Sequence, residues 1–220
     1  MKKLKISIIC LMLINLIICG ISLIFMGDII PTHFGVTGEP DQYGSKYFVL
    51  IFPAIGILLG AIILLINKSE RFTDNYKKYL LITGVIIQSM FVGLLILFMI
   101  IALTYAEGEK NIDVSKFMML LLGTMLIILG NYMPKIEKNR TLGLKTKWSM
   151  YNETTWQKSH RFTGFASTIA GVLVLVSGLF FKDMVNFIIL MSLVLLMVTT
   201  STVASYIYYK EEKLKELENK

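Results

Sequence analysis

Residues Ile6 to Met26 read ISIICLMLINLIICGISLIFM, 21 residues without a Lys, Arg, Asp, Glu or His. At a helical rise of about 1.5 Å per residue, such a run matches the roughly 30 Å hydrocarbon core of a bilayer. A helix also satisfies its own backbone hydrogen bonds where no water can. Lys2, Lys3 and Lys5 precede the run. It is longer than a secretory signal core. Bulky Ile18 also stands where a lipoprotein cleavage box needs a small residue, so a retained signal-anchor helix is expected.

The same pattern recurs along the 220 residues, of which 55% are apolar, with a mean hydropathy of +0.68. Apolar runs at about 6–27, 47–66, 79–105, 117–133, 162–181 and 186–208 give six spans. The 22 Lys and Arg residues orient them. Three lie before the first span, four in 67–78, seven in 134–161 and four in the tail, against four in 28–46, 106–116 and 182–185 combined. By the positive-inside rule the fold class is an all-α polytopic transmembrane helix bundle with both termini cytoplasmic. The +7 charge therefore marks orientation, and no direct nucleic-acid contact is expected. The outward segments hold Asp28, Glu39, Asp41, Glu107, Glu109, Asp113 and Asp183, a mildly acidic face.

Within the spans, Pro53 predicts a mild kink, and the amides of Asn15 and Gln88 are expected to bond to neighbouring helices. No ionisable group sits deep in any span, which counts against a proton-coupled transporter. Cys10 and Cys19, nine residues apart on one helix, face opposite sides and cannot pair; buried free thiols are expected. Glu211 and Lys215 form an i,i+4 pair on a tail that continues the last helix.

Two connecting segments are too specified to be linkers. The outer one, 28–46, carries Pro31 and Pro40, which restrict φ, and Gly35, Gly38 and Gly44, which permit turns. In it, His33, Glu39 and Asp41 are candidate contacts for an extracellular partner. One histidine and two carboxylates without helical spacing make a poor metal-ligand set, so neither metal nor cofactor is expected. The inner segment, 134–161, mixes basic and aromatic residues. Asn139, Arg140, Lys145, Lys147, Trp148, Trp156 and His160 are its candidate partner-binding residues. The aromatic side chains among lysines also suit an anionic lipid surface. Asn152 is placed to cap a helix on which Trp156 and His160, four apart, share a face. The sequons Asn139-Arg140-Thr141 and Asn152-Glu153-Thr154 fall on the cytoplasmic side, where no glycan is added. His33 and His160 lie on opposite faces of the membrane and cannot share a catalytic site, so no enzyme is expected.

In this order the two segments resemble the SdpI family of bacterial immunity membrane proteins. The outer one is similar to that family's N-terminal helix–loop–helix domain of unknown function, through Pro31, His33, Phe34, Gly38, Pro40, Asp41, Gly44 and Lys46. The inner one is similar to its C-terminal module, through Gly130-Asn131-Tyr132, Pro134, Asn139, Gly143, Lys145-Thr146, Trp148, Trp156, His160 and Arg161. One departure is Lys145-Thr146-Lys147-Trp148, where that module often has Arg-Thr-Pro-Trp. The resemblance implies a division into 1–66 (two spans and the outer segment), 67–116 (third span and connections), 117–208 (the SdpI-like module) and a 209–220 tail. It also implies protection of the cell against a secreted peptide toxin, with a transcriptional repressor held at the membrane as an optional inner partner. A transporter or lipid-handling protein is the alternative, and a membrane-embedded enzyme a further one.

Overall fold

The computed structural model describes residues 1–35, 38–106 and 113–218. Among these residues, six helices are long and apolar enough to cross a membrane. They are α1 (Lys2–Phe25), α2 (Ile51–Lys68), α3 (Asp74–Ala106), α4 (Val114–Tyr132), α5 (Glu153–Phe180) and α6 (Asp183–Glu218). Glu107 and Glu109 lie outside the described residues.

The outer segment is more than a loop. It forms a two-stranded antiparallel hairpin, β1 (Ile29–Phe34) and β2 (Pro40–Ser45), pairing Ile29 with Ser45 and Phe34 with Pro40. The register shifts around His33. The hairpin tolerates both prolines because each strand is an edge strand, with one side free of ladder bonds. Its base is closed by Lys46 Nζ on Asp28 Oδ1 at 3.0 Å, and Ile30 and Pro31 turn inward onto the bundle.

A 3-10 turn over Lys46–Leu50 leads into α2, and Pro53 stands at the third position of α2, close to the junction of the two helix types. Helices α1, α2 and α3 pack as one triplet, and α4, α5 and α6 as another; α3 touches α4 only sparsely. The first triplet is knit by aliphatic and aromatic contacts, among them Phe52 and Phe98 at 5.0 Å. At its mid-depth Gln88 Nε2 donates to the Gly56 carbonyl at 2.6 Å, as expected for this amide. Asn15 differs: it is buried, yet neither its nitrogen nor its oxygen meets a partner among the described residues. Cys19 is buried, whereas Cys10 is exposed on the outside of the bundle, contrary to expectation.

The second triplet is built on small residues. Helix α5 presents Gly164, Gly171 and Gly178, seven apart, to α4. A Cβ added at Gly164 would lie 2.5 Å from the Gly130 carbonyl, and one at Gly171 2.7 Å from that of Gly123. Such close backbone approach replaces the hydrophobic drive that lipid does not supply. Ser167 Oγ adds a bond across the contact to the Leu126 carbonyl at 2.9 Å.

Candidate functional site

Two polar constructions flank the bundle, one at the hairpin end and one at the end that carries both termini. At the hairpin end, β1 and β2 form the roof of a cavity of about 840 Å3. Its walls are apolar: Leu97 and Phe98 of α3, Met118 and Leu122 of α4, Phe187 and Leu190 of α6. Its rim is polar: Thr32, His33, Asp41, Ser115, Asp183 and Asn186. His33 Nδ1 donates to Asp41 Oδ1 at 2.6 Å across the hairpin. Both side chains are over half exposed, so the pair contributes about 1 kcal/mol at most to stability. Glu39 is exposed near the hairpin tip and is not part of the cavity lining.

The far side of the rim was not expected from the sequence. Asp113 caps α4 by accepting from the Lys116 N–H at 2.9 Å, and the same Oδ1 accepts from Ser115 Oγ at 2.8 Å. Ser115 Oγ in turn accepts from the Asp183 N–H at 2.9 Å and from Asn186 Nδ2 at 3.2 Å. Asn186 Nδ2 also donates to the Phe181 carbonyl at 2.8 Å. Gly38, at φ +77°, presses its backbone against the Asp183 carboxylate, and Asp183 itself takes φ +44°. The hairpin of the first triplet therefore rests on the α5–α6 turn of the second. Polar residues at the starts of two helices, Asp113 with Ser115 and Asp183 with Asn186, were the available signal. Their meeting depends on the α4–α5 packing, which sequence spacing does not show.

At the other end, residues 136–152 fold onto the start of α5. Asn152 caps α5, its Oδ1 accepting from the Thr155 N–H at 2.8 Å. Trp156 and His160 stack at 3.7 Å, and both are fully buried. Trp156 Nε1 donates to the Ile136 carbonyl at 2.8 Å. His160 Nδ1 donates to the Trp156 carbonyl at 2.9 Å, so its Nε2 is free to accept from the Leu144 N–H at 3.1 Å. Gly143, at φ +100°, passes against the Nε2 edge of the imidazole, where a Cβ would collide with the ring. Asn139 shapes the neighbouring turn, its Oδ1 accepting from the N–H groups of Thr141 at 2.8 Å and Leu142 at 2.7 Å. Of the candidate inner residues, Arg140, Lys145 and Lys147 are exposed, Asn139 and Trp148 half-buried, and Trp156 and His160 reach no surface. The last two hold the segment in shape from beneath.

The end of α6 packs onto the same segment. Trp148 meets Tyr206 at 5.1 Å, and Tyr151 meets Tyr209 at 4.9 Å. Tyr151 Oη donates to Glu216 at 2.5 Å, and this hydrogen bond to a carboxylate raises the phenol above its ordinary range. Lys158 Nζ reaches Glu212 at 2.9 Å and Glu211 at 3.6 Å. Lys215 pairs with Glu212 at 3.4 Å, not with Glu211 as expected, because Lys158 draws Glu211 toward α5. Asn75 at the start of α3 ties the first triplet to the same segment, donating to the Lys135 carbonyl at 3.2 Å and accepting from the Glu137 N–H at 3.1 Å. Among the described residues, no group of three or more His, Cys, Asp or Glu side chains is placed to hold a metal ion.

Residues 135–206 match the model of the SdpI/YfhL protein family, and residues 10–57 match that of a domain of unknown function, DUF1648. The chain is 31% identical over 218 residues to the immunity protein SdpI of Bacillus subtilis strain 168, covering 96% of this chain and 98% of that protein. It is also 46% identical over 55 residues to an uncharacterized protein of Archaeoglobus fulgidus, covering 24% of this chain and 30% of that one. No solved structure matches.

Proposed function

The chain belongs to the SdpI/YfhL protein family, and on that premise we propose that it is a multi-pass protein of the bacterial plasma membrane that confers immunity to a secreted peptide toxin by binding it, not by a reaction. One observation carries this. The similarity to the Bacillus immunity protein runs the length of both chains, so it includes the hairpin and all three helices that wall the cavity beneath it.

The charge distribution supports the orientation: hairpin outside, both termini and residues 134–161 in the cytoplasm. His33, Glu39 and Asp41 are then the outer contacts, and the cavity behind them receives the apolar part of the toxin. Arg140, Lys145 and Lys147, with Asn139 and Trp148 beside them, form the inner surface, which also meets anionic lipid headgroups. Residues 1–66 and 117–208 act as the two modules, joined through 67–116, with 209–220 as a cytoplasmic tail.

A second activity, holding a transcriptional repressor at that inner surface, is supported by the continuity of α6. Asp183 and Asn186 of this helix face the cavity, while Tyr206, Tyr209 and Glu212 of the same helix hold the inner segment. A toxin that binds one setting of α6 more tightly shifts the inner segment by that difference in affinity.

Expression in a naive host tests the immunity. Cells carrying the gene should survive the secreted peptides of the source strain, and a thiol reagent that cannot cross the membrane should label Tyr43→Cys and spare Lys147→Cys in a Cys10→Ser background. A host that gains no protection from any of those peptides overturns the proposal.

A further inference from the structure

The rim of the outer cavity is built for a donor. Asn186 is 1% exposed, its Nδ2 is committed to Ser115 and Phe181, and its Oδ1 has no partner among the described residues. A buried acceptor left in this way calls for a hydrogen-bond donor. One turn back on the same face of α6 stands the Asp183 carboxylate, for which no ion pair or hydrogen bond forms among the described residues. Asp41, across the rim, already accepts a hydrogen bond from His33 at 2.6 Å. No Lys or Arg lines the cavity among the described residues. The positive end of the α6 dipole is answered by Asp183 itself.

Resting on the immunity reading, we propose that this cavity recognises an ammonium group borne on an apolar chain, the free amino terminus of a hydrophobic peptide, with Asp183 as counter-ion, Asn186 Oδ1 as hydrogen-bond acceptor, and the walls of α3, α4 and α6 taking the first side chains. Charge selects between the two ammonium sources a membrane offers. An ethanolamine lipid carries its phosphate two carbons from the amine, and here that anion would face Asp183 and Asp41 with no lysine or arginine among the described lining residues to meet it. A peptide amino terminus brings no such neighbour. The cavity of about 840 Å3 holds several large apolar side chains.

The test uses the full chain in nanodiscs of phosphatidylcholine and phosphatidylglycerol. The probe is a synthetic leucine-rich octapeptide with a free α-amine and a photoactivatable leucine at its third position. Illumination should label the cavity walls within 94–101 and 186–190. N-acetylation of the probe, or Asp183→Asn, should each cut that labelling about tenfold, the loss of one charge-assisted hydrogen bond. Asparagine tolerates the positive φ of position 183, so the variant keeps its fold, which size-exclusion chromatography checks. Thr124→Val, in a separate groove between α3 and α4, should leave the labelling unchanged. Equal labelling by the acetylated probe, or by the Asp183→Asn variant, overturns the proposal. So does loss of labelling when phosphatidylethanolamine replaces phosphatidylcholine, which would assign the cavity to a headgroup. Labelling and cell protection are separate readouts. Amine-dependent labelling without protection sinks the immunity reading alone, and protection that survives Asp183→Asn sinks the ammonium site alone.

Discussion

Replacing Gly143 with alanine tests whether the inner segment is held by His160. At φ +100° a residue with a Cβ is strained, at a cost of about 1–3 kcal/mol. The new methyl group also points at His160 Nε2. The imidazole cannot step aside, since it is fully buried, stacked on Trp156 at 3.7 Å and bonded to the Trp156 carbonyl at 2.9 Å. The Leu144 N–H bond to the ring is therefore lost, and an unpaired buried group costs about 1–3 kcal/mol more. Gly143→Ala should destabilise the chain by about 2–6 kcal/mol in all. His160→Ala removes the obstacle, so in the double variant only the backbone strain is added. The two changes together should cost about 1–3 kcal/mol less than their sum. Reversible unfolding of the detergent-solubilised protein in sodium dodecyl sulfate measures this by fluorescence, because both tryptophans report on the segment: Trp148 against Tyr206 and Trp156 against His160. Effects that add to within about 0.5 kcal/mol would show that ring and glycine do not oppose each other, and would refute the reasoning.

Two further outcomes follow from the helix contacts. Gly130→Ala places a Cβ 2.6 Å from the Gly164 carbonyl, so it should cost about 1–3 kcal/mol in the same titration, while Gly20→Ala, which meets nothing within 4 Å, should be neutral or stabilising. Asn15→Leu should raise the thermal midpoint by removing two buried atoms without partners, whereas Gln88→Leu should lower it by losing the bond to the Gly56 carbonyl; a thermal shift assay by size-exclusion chromatography distinguishes them, and equal shifts would count against the pairing.

The six helices were legible because uncharged runs of bilayer length have one stable form in lipid. The Asn152 cap and the shared face of Trp156 and His160 were legible because both are local to one helix. The hairpin was not, since Pro31, Pro40 and three glycines erase the alternation by which strands are recognised. The separate fates of Asn15 and Gln88 hang on helix rotations that periodicity leaves open. Glu211 turned from Lys215 to Lys158 because a tertiary partner outweighed a local one. Ser115, Asp183 and Asn186 were illegible as a group, since only the glycine-seated approach of α4 to α5 carries two distant turns together. The basic residues of the inner segment showed their chemistry early, but which of them face outward depends on how the segment folds over α5.

The sparse seam between α3 and α4 bears on how such a protein can diversify. The chamber belongs to neither helix triplet: one contributes the roof, a wall and half of the polar rim, the other the remaining walls and the other half. If the chamber receives the toxin as proposed, a mutation that reshapes one side for a new adversary is useless until the opposite side follows. Strain-to-strain differences in what is resisted should therefore appear as correlated exchanges across that boundary, and recombination between related genes at the α3–α4 junction should scramble resistance while leaving each triplet intact.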